Sequence, residues 1–223
     1  MNKFQSVAGA MLVLACASVA AQENTLRVGL INLDIHSKSA DLSSNGPAFL
    51  TPQPAGLNVG NATTLLLAYT RKLNDHFDLD IVMGLPPKHN VYGRGNLEVY
   101  GVTAQVKQRA PTAFINYNFF DPTSKFRPFV GLGLNYTQFF DANSTTSGNL
   151  ATGGPTKIDL TSSWGAAAQV GFSYKFADRW SFVASLATAQ VKSDMTATTG
   201  SIARKTTIDF RPVVLTAGVG YSF

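Results

Sequence analysis

The chain closes on Val213-Val-Leu-Thr-Ala-Gly-Val-Gly-Tyr-Ser-Phe223, in which Val213, Leu215, Ala217, Val219, Tyr221 and Phe223 share one parity. Thr216, Gly218, Gly220 and Ser222 share the other. Side chains alternate across a strand, so this segment has one continuously apolar, aromatic face and one small or polar face. That is the pattern of a wall between hydrocarbon and a wetter interior. A bilayer offers the backbone no hydrogen-bond partners, so strands can span it only as a closed barrel, with aromatic residues at the headgroup levels. A soluble sandwich strand has the same alternation, and the remainder of the chain decides between the two.

At the other end, Lys3 precedes an apolar run from Val7 to Val19, followed by Ala20 and Ala21. This predicts a secretory signal peptide over residues 1–21, leaving a single barrel domain over 22–223. The run is too short for a spanning helix, which needs roughly 20 residues. A rival reading makes Cys16 a lipoprotein cysteine, but Leu14 beside that cleavage point fits poorly. With Cys16 discarded, no disulfide is available.

Composition points the same way. Charged residues make up 14%, against roughly 25% in soluble domains, and 19 glycines with 15 phenylalanines suit a barrel wall. The net charge of +5 is scattered, and no basic cluster suggests nucleic acid.

Eight strands are expected, joined by alternately long and short connections. They run over about 24–35, 61–73, 77–85, 111–119, 126–141, 157–176, 179–192 and from about 205 to Phe223. Short turns fall at Asn74-Asp75, at Asp121-Pro-Thr-Ser124 and at Ala177-Asp178. Long polar connections are expected over 36–60, 86–107, 142–156 and 193–204. The prediction is an all-β, eight-stranded antiparallel transmembrane barrel, with both termini and the short turns in the periplasm and the long loops outside the cell.

Parity separates lipid from lumen. In the third strand Phe77, Leu79, Ile81, Met83 and Leu85 alternate with Asp78, Asp80, Val82 and Gly84. The carboxylates must face inward, because charge on the lipid face costs up to a few kcal/mol near the midplane. In the fifth, Val130, Leu132, Leu134 and Tyr136 face lipid, leaving Phe129, Gly131, Gly133, Asn135, Thr137 and Phe139 inside.

Two stretches, Ser124-Lys-Phe-Arg-Pro-Phe-Val-Gly-Leu-Gly-Leu-Asn-Tyr-Thr-Gln-Phe-Phe-Asp141 and Ser163-Trp-Gly-Ala-Ala-Ala-Gln-Val-Gly171, closely resemble the OmpW family. The likeness extends to Pro111-Thr112, Arg179-Trp180 and the terminal Tyr221-Ser222-Phe223. It implies an eight-stranded barrel of the bacterial outer membrane with a narrow, largely hydrophobic interior that passes small hydrophobic compounds. Tyr221 and Phe223 resemble the terminal signal read by the outer-membrane assembly machinery.

Two departures from the family pattern stand out. Asp78 and Asp80 face inward near the periplasmic end, and the seventh strand has small residues, Ser185, Ala187 and Ala189, at inward parity. The interior is thus expected to be wider, or more polar at its base, than is usual. The aspartates are either a salt-bridged plug, with inward Arg or Lys partners, or a cation-attracting gate.

Catalysis needs a nucleophile within reach of its base. His36, His76 and His89 are the three histidines, and although Ser37, Ser39, Asp41, Ser43 and Ser44 follow His36, the sequence establishes no Ser–His pair. No enzyme, cofactor or metal site is expected, since scattered histidines without a retained cysteine give no ligand spacing. Gly131 and Gly133 lack the third glycine and the helix of a dinucleotide motif.

The reading is therefore a passive conduit for small, mostly hydrophobic solutes, in contact with outer-membrane lipid. Leu42, Phe49, Leu57 and Val91 are expected in the extracellular vestibule, and Leu66, Val82, Phe114, Phe129 and Phe139 in the lumen. Exit is either to the periplasm or sideways into the bilayer. The alternative is a non-conducting barrel whose loops are a surface interaction module or receptor.

Overall fold

The computed structural model describes residues 24–46 and 54–223. The expected signal peptide, Cys16 and Phe49 lie outside the described residues. In chain order the strands are β1 (Asn24–Ile35), β2 (Lys38–Ser39), β3 (Ser43–Ser44), β4 (Ala55–Val59), β5 (Ala62–Lys72), β6 (Phe77–Gly84), β7 (Lys88–Gly95) and β8 (Val102–Arg109). They continue as β9 (Thr112–Asn118), β10 (Phe126–Ser144), β11 (Thr156–Leu160), β12 (Ser163–Ala177), β13 (Trp180–Ala189), β14 (Lys192–Thr199), β15 (Ile202–Asp209) and β16 (Pro212–Ser222). A 3-10 turn, Glu98–Tyr100, joins β7 to β8, and a short helix, α1 (Thr146–Thr152), follows β10.

Eight of these strands close on themselves in the order β1, β5, β6, β9, β10, β12, β13, β16, every neighbouring pair antiparallel. The seam that closes the ring joins the first strand to the last, from Thr25 opposite Ser222 to Ile35 opposite Pro212. Backbone bonds between Asn24 and Phe223 in both directions, at 3.0 and 2.8 Å, finish it. The outer face is that of a protein in hydrocarbon, with Leu132 74% and Leu134 63% exposed. Aromatic pairs bound the apolar band: Trp180 against Tyr221 and Phe77 against Tyr117 at the turn end, Tyr136 against Trp164 at the other.

The short turns are stabilised locally. Asn74 Oδ1 accepts from the amides of His76 and Phe77, both at 2.9 Å. Asp121 Oδ1 accepts from the Thr123 amide and hydroxyl, which holds its carboxyl below the usual carboxylate range. The expected long loops are different from the sequence reading. Residues 86–107 and 193–204 are largely hairpins, β7–β8 and β14–β15, rather than loops. The expected sixth and eighth strands each break in two, near Thr161 and Arg211, and the expected seventh ends at Ala189, where the membrane ladder gives way to a second, extracellular sheet. That sheet runs β4, β7, β8, β10, β11, β14, β15, with β2 and β3 on its far edge.

Above the membrane the polarity of the strands reverses. Val91, Val106, Met195, Ala197 and Ile208 are buried inside, while Lys88, Lys192, Asp194 and Lys205 face water. A search for strands with apolar residues outside therefore misses these hairpins, whose outer face is solvated.

Closure depends on tight backbone approach. Gly29 lies directly opposite Gly218 across the β1–β16 seam, and a Cβ on Gly29 would strike the Ala217 carbonyl. Gly29→Val is expected to destabilise the barrel by roughly 1–3 kcal/mol, the range for overpacking. The measurement is the folded fraction, read from the heat-modifiable gel migration of the refolded protein.

Candidate functional site

Among the described residues, cavities follow one another along the interior of the barrel, at its middle, its extracellular end and its periplasmic end. The middle one, about 80 Å³, is bounded by Ile31, Leu33, Val82, Phe114, Ala187 and Val191 among others, so its walls are mostly apolar. Small side chains on β12 and β13, Ala167, Ser185, Ala187 and Ala189, leave the space open. The extracellular cavity, about 60 Å³, is formed by the folded hairpins, with Leu42, Leu57, Leu97, Ile158 and Met195 on its walls. The periplasmic cavity is larger, about 170 Å³, and polar.

The five residues expected in the lumen are all buried at inward parity, but they do not share one chamber. Val82 and Phe114 border the middle cavity, whereas Phe129 faces the periplasmic one. Leu66, 1% exposed, is packed into the core. Phe139 stacks on Phe210 with ring centroids 5.0 Å apart, below the extracellular hairpins. Of the expected vestibule residues, Leu42 and Leu57 border the extracellular cavity and Val91 is buried.

A polar layer separates the middle and periplasmic chambers. Arg27 Nη2 donates to both Asp80 oxygens, at 3.2 and 2.9 Å, with side chains 4% and 1% exposed. Thr70 Oγ1 donates to Asp80 at 2.7 Å, and Gln169 Nε2 reaches Asp80 at 3.5 Å and Asn116 Oδ1 at 2.7 Å. Asn116 and Asn118 in turn donate to the two oxygens of Asp78. The layer thus spans β1, β5, β6, β9 and β12, and it lies across the lumen above the periplasmic cavity. Arg27 crosses to Asp80 over Ala68, its register partner on β5, which is too small to obstruct it. Sequence parity contains this pairing, because Leu26, Val28 and Leu30 on the lipid face force Arg27 inward. It takes the register of three strands to see that Arg27 meets Asp80.

Between the membrane barrel and the extracellular sheet the ladders are interrupted, as between Thr137–Ser163 and Asn143–Lys157, and one such interval borders the middle cavity. The β6–β9 ladder ends at Val82 opposite Thr112, and backbone pairing is next seen at Pro87, whose carbonyl accepts from the Gln108 amide at 3.4 Å. The β7–β8 ladder then starts at Lys88 opposite Lys107. Pro86, Pro87 and Pro111 lie in this interval and have no N–H to contribute. Each edge stays attached on its other side, through Leu85 N to Leu65 O at 2.9 Å and Tyr136 N to Pro111 O at 3.1 Å. Met83, Gly84, Pro87, Gln108, Ala110 and Thr112 border the middle cavity, which therefore reaches the membrane wall at the interruption.

The histidines are dispersed. His36 is exposed beside Asp34 at 3.6 Å, and His76 stacks on Tyr117 near the periplasmic turns. The serines after His36 serve as staples: Ser37 Oγ accepts from the Val59 amide and Ser39 Oγ from the Leu57 amide, both at 2.7 Å. Among the described residues no group of His, Cys, Asp and Glu has the arrangement of a metal site. His89, 1% exposed inside the extracellular sheet, bonds the Gly60 carbonyl through Nδ1 at 2.8 Å, and its Nε2 has no partner. Burial pushes its pKa below the ordinary imidazole range.

A closed, eight-stranded barrel with an apolar outer band, aromatic girdles and short turns at one end is a small outer-membrane protein. The chain matches the OmpW family over residues 22–223 and belongs to it. It is 34% identical over 168 residues to outer membrane protein W of Vibrio cholerae serotype O1, covering 75% of this chain and 76% of that one. It is 26% identical over 200 residues, 89% of this chain and 88% of the relative, to the dibenzothiophene metabolism operon protein PahQ of Pseudomonas aeruginosa. The crystal structure of the outer membrane protein OprG from Pseudomonas aeruginosa superposes with a TM-score of 0.82 at 28% identity, over 91% of this chain and 96% of that one. The protein is located in the bacterial outer membrane, as these relatives are.

Two predictions concern the buried groups. Asp80→Ala strands the Arg27 cation and is expected to cost about 3–5 kcal/mol, whereas Arg27→Met with Asp80→Leu costs far less; urea unfolding in lipid vesicles separates them. For His89, the folded state disfavours the proton that the unfolded chain binds near pH 6.5, so stability is unaffected above that pH and falls as pH drops below it. The protection of the β7–β8 amides, referred to their intrinsic exchange rate at each pH, should fall between pH 7 and pH 5, and His89→Phe should remove that dependence.

Proposed function

We propose that this protein is a passive conduit for small, mostly hydrophobic molecules, which enter from outside the cell and leave sideways into the bilayer through the interval between β6 and β9. The observation that carries this reading is the coincidence of an apolar mid-barrel cavity with an interrupted, proline-bearing ladder bordering it. Below that cavity, the Arg27–Asp80 layer obstructs the route to the periplasm for apolar solutes, which cannot replace its hydrogen bonds. The name of PahQ adds a chemical hint, since dibenzothiophene is a planar aromatic hydrocarbon-like solute.

At about 80 Å³ the middle cavity is well below the roughly 300 Å³ of a typical ligand site. The barrel at rest is closed, and passage requires its walls to part. A cheap place to part them is between residues 83–87 and 108–111, where the described backbone hydrogen bonding is a single long contact, Gln108 N to Pro87 O at 3.4 Å. A solute would collect on Leu42 and Leu57, pass the Phe139–Phe210 stack, pause against Val82 and Phe114, and leave past Met83 and Ala110. Its own gradient supplies the driving force.

Uptake of a small aromatic hydrocarbon by cells producing Val82→Arg or Ala187→Trp should drop at least tenfold while the barrel remains folded. Arg27→Met with Asp80→Leu should leave uptake unchanged, because the periplasmic route is not used. If deleting the extracellular tip, residues 96–101, abolishes the phenotype while Val82→Arg has no effect, the surface-interaction reading replaces this one.

A further inference from the structure

Just above the lipid band, one side of the outer wall gathers like charges. Lys88 of β7 lies directly opposite Lys107 of β8 in register, and Arg109 follows two residues along on the same outward face. Like charges placed opposite each other on neighbouring strands are destabilising, so such a pair is retained against a cost. One carboxylate answers these three cations: Asp141, 3.0 Å from Lys107. Arg109 Nε donates to the neutral Gln138 at 2.7 Å and its guanidinium lies 5.9 Å from the Phe140 ring centroid. The Lys88 side chain has no hydrogen bond or ion pair among the described residues. On the other side of the barrel the charges are matched: Lys192 lies opposite Asp209, which also accepts from Arg211 at 3.0 Å.

The height of the patch identifies its partner. Gln138, opposite Arg109, and Phe140, opposite Lys107, stand two and four residues beyond Tyr136 on β10, about 7 and 14 Å along the strand. Tyr136 and Trp164 mark the upper girdle, with ring centroids 4.6 Å apart. The cations therefore sit at headgroup level, and directly beneath them the outer face is apolar: Leu85, Ile115, Leu132 and Leu134. A cationic patch continuous with a hydrocarbon-facing wall matches an anionic amphiphile rather than a soluble anion.

We infer that Lys88, Lys107 and Arg109 bind the phosphorylated headgroup of an outer-leaflet lipid whose acyl chains lie along the β6–β9–β10 face. Lys88 and Lys107 act as point charges on the phosphate, and Arg109 offers it a planar fork of donors. The site is independent of any transported solute, although it flanks the interrupted ladder.

The test is the dissociation constant of lipid A for the folded full-length barrel in a zwitterionic detergent, beside that of enzymatically dephosphorylated lipid A and of inorganic phosphate. Lipid A should bind most tightly. Lys88→Gln, which breaks no described contact, should weaken it about fivefold, and the triple replacement Lys88→Gln/Lys107→Gln/Arg109→Gln on the order of a hundredfold. Lys192→Gln should change nothing. Equal binding of the dephosphorylated lipid, equal binding of inorganic phosphate, or unweakened binding by a folded triple variant would overturn the assignment. Should the triple variant not fold, Lys88→Gln alone decides, and unchanged affinity there counts against the site.

Discussion

Hydrocarbon offers no partner to a backbone amide, and most of this structure follows from that fact. Each strand in the bilayer must find a neighbour on both sides, so β16 has to return to β1, and the terminal residues are held in an unbroken register from Thr25–Ser222 to Ile35–Pro212. The close approach of Gly29 and Gly218 belongs to the same seam. Against this background the interval between Val82–Thr112 and Lys88–Lys107 stands out, because three prolines there reduce the number of amides that need a partner. This stretch of wall is held across by a single long backbone bond, Gln108 N to Pro87 O at 3.4 Å, and it borders the apolar cavity.

The interior shows a second balance. Placing Arg27 and Asp80 inside a barrel is expensive unless they are paired, and here Thr70, Gln169, Asn116, Asn118 and Asp78 extend the pair into a layer across five strands, while the buried Arg27 Nε has no partner among the described residues. The small residues of β13, Ser185, Ala187 and Ala189, have the opposite effect one level higher, leaving room that bulkier side chains would fill. Polar below and apolar above, with the Arg27–Asp80 layer between the two chambers, the lumen is divided by depth.

The membrane part of the fold was legible in the sequence because lipid outside and a mixed interior impose a parity that runs unbroken through β6, β10, β12 and β16. Parity also placed Leu66, Val82, Phe114, Phe129 and Phe139 inward, but not at which depth, since depth depends on how eight strands are staggered. The extracellular hairpins were not legible by the same rule. In β14 and β15 the apolar residues Met195, Ala197 and Ile208 point inward and the polar ones outward, the reverse of the membrane strands, so these segments read as loops. The Arg27–Asp80 contact and the ladder interruption were hidden for a related reason: both are properties of register between strands, which no single strand's sequence contains.

The central claim is that an apolar solute reaches the bilayer through the wall. The direct measurement is the rate at which a fluorescent aromatic hydrocarbon, supplied outside, equilibrates into the membrane of proteoliposomes, recorded together with ionic conductance. Exit through the wall gives accelerated arrival in the lipid, abolished by Val82→Arg, with no conductance linked to the solute. Discrete ionic openings modulated by the solute, without faster arrival in the lipid, would contradict it and place the route through the Arg27–Asp80 layer.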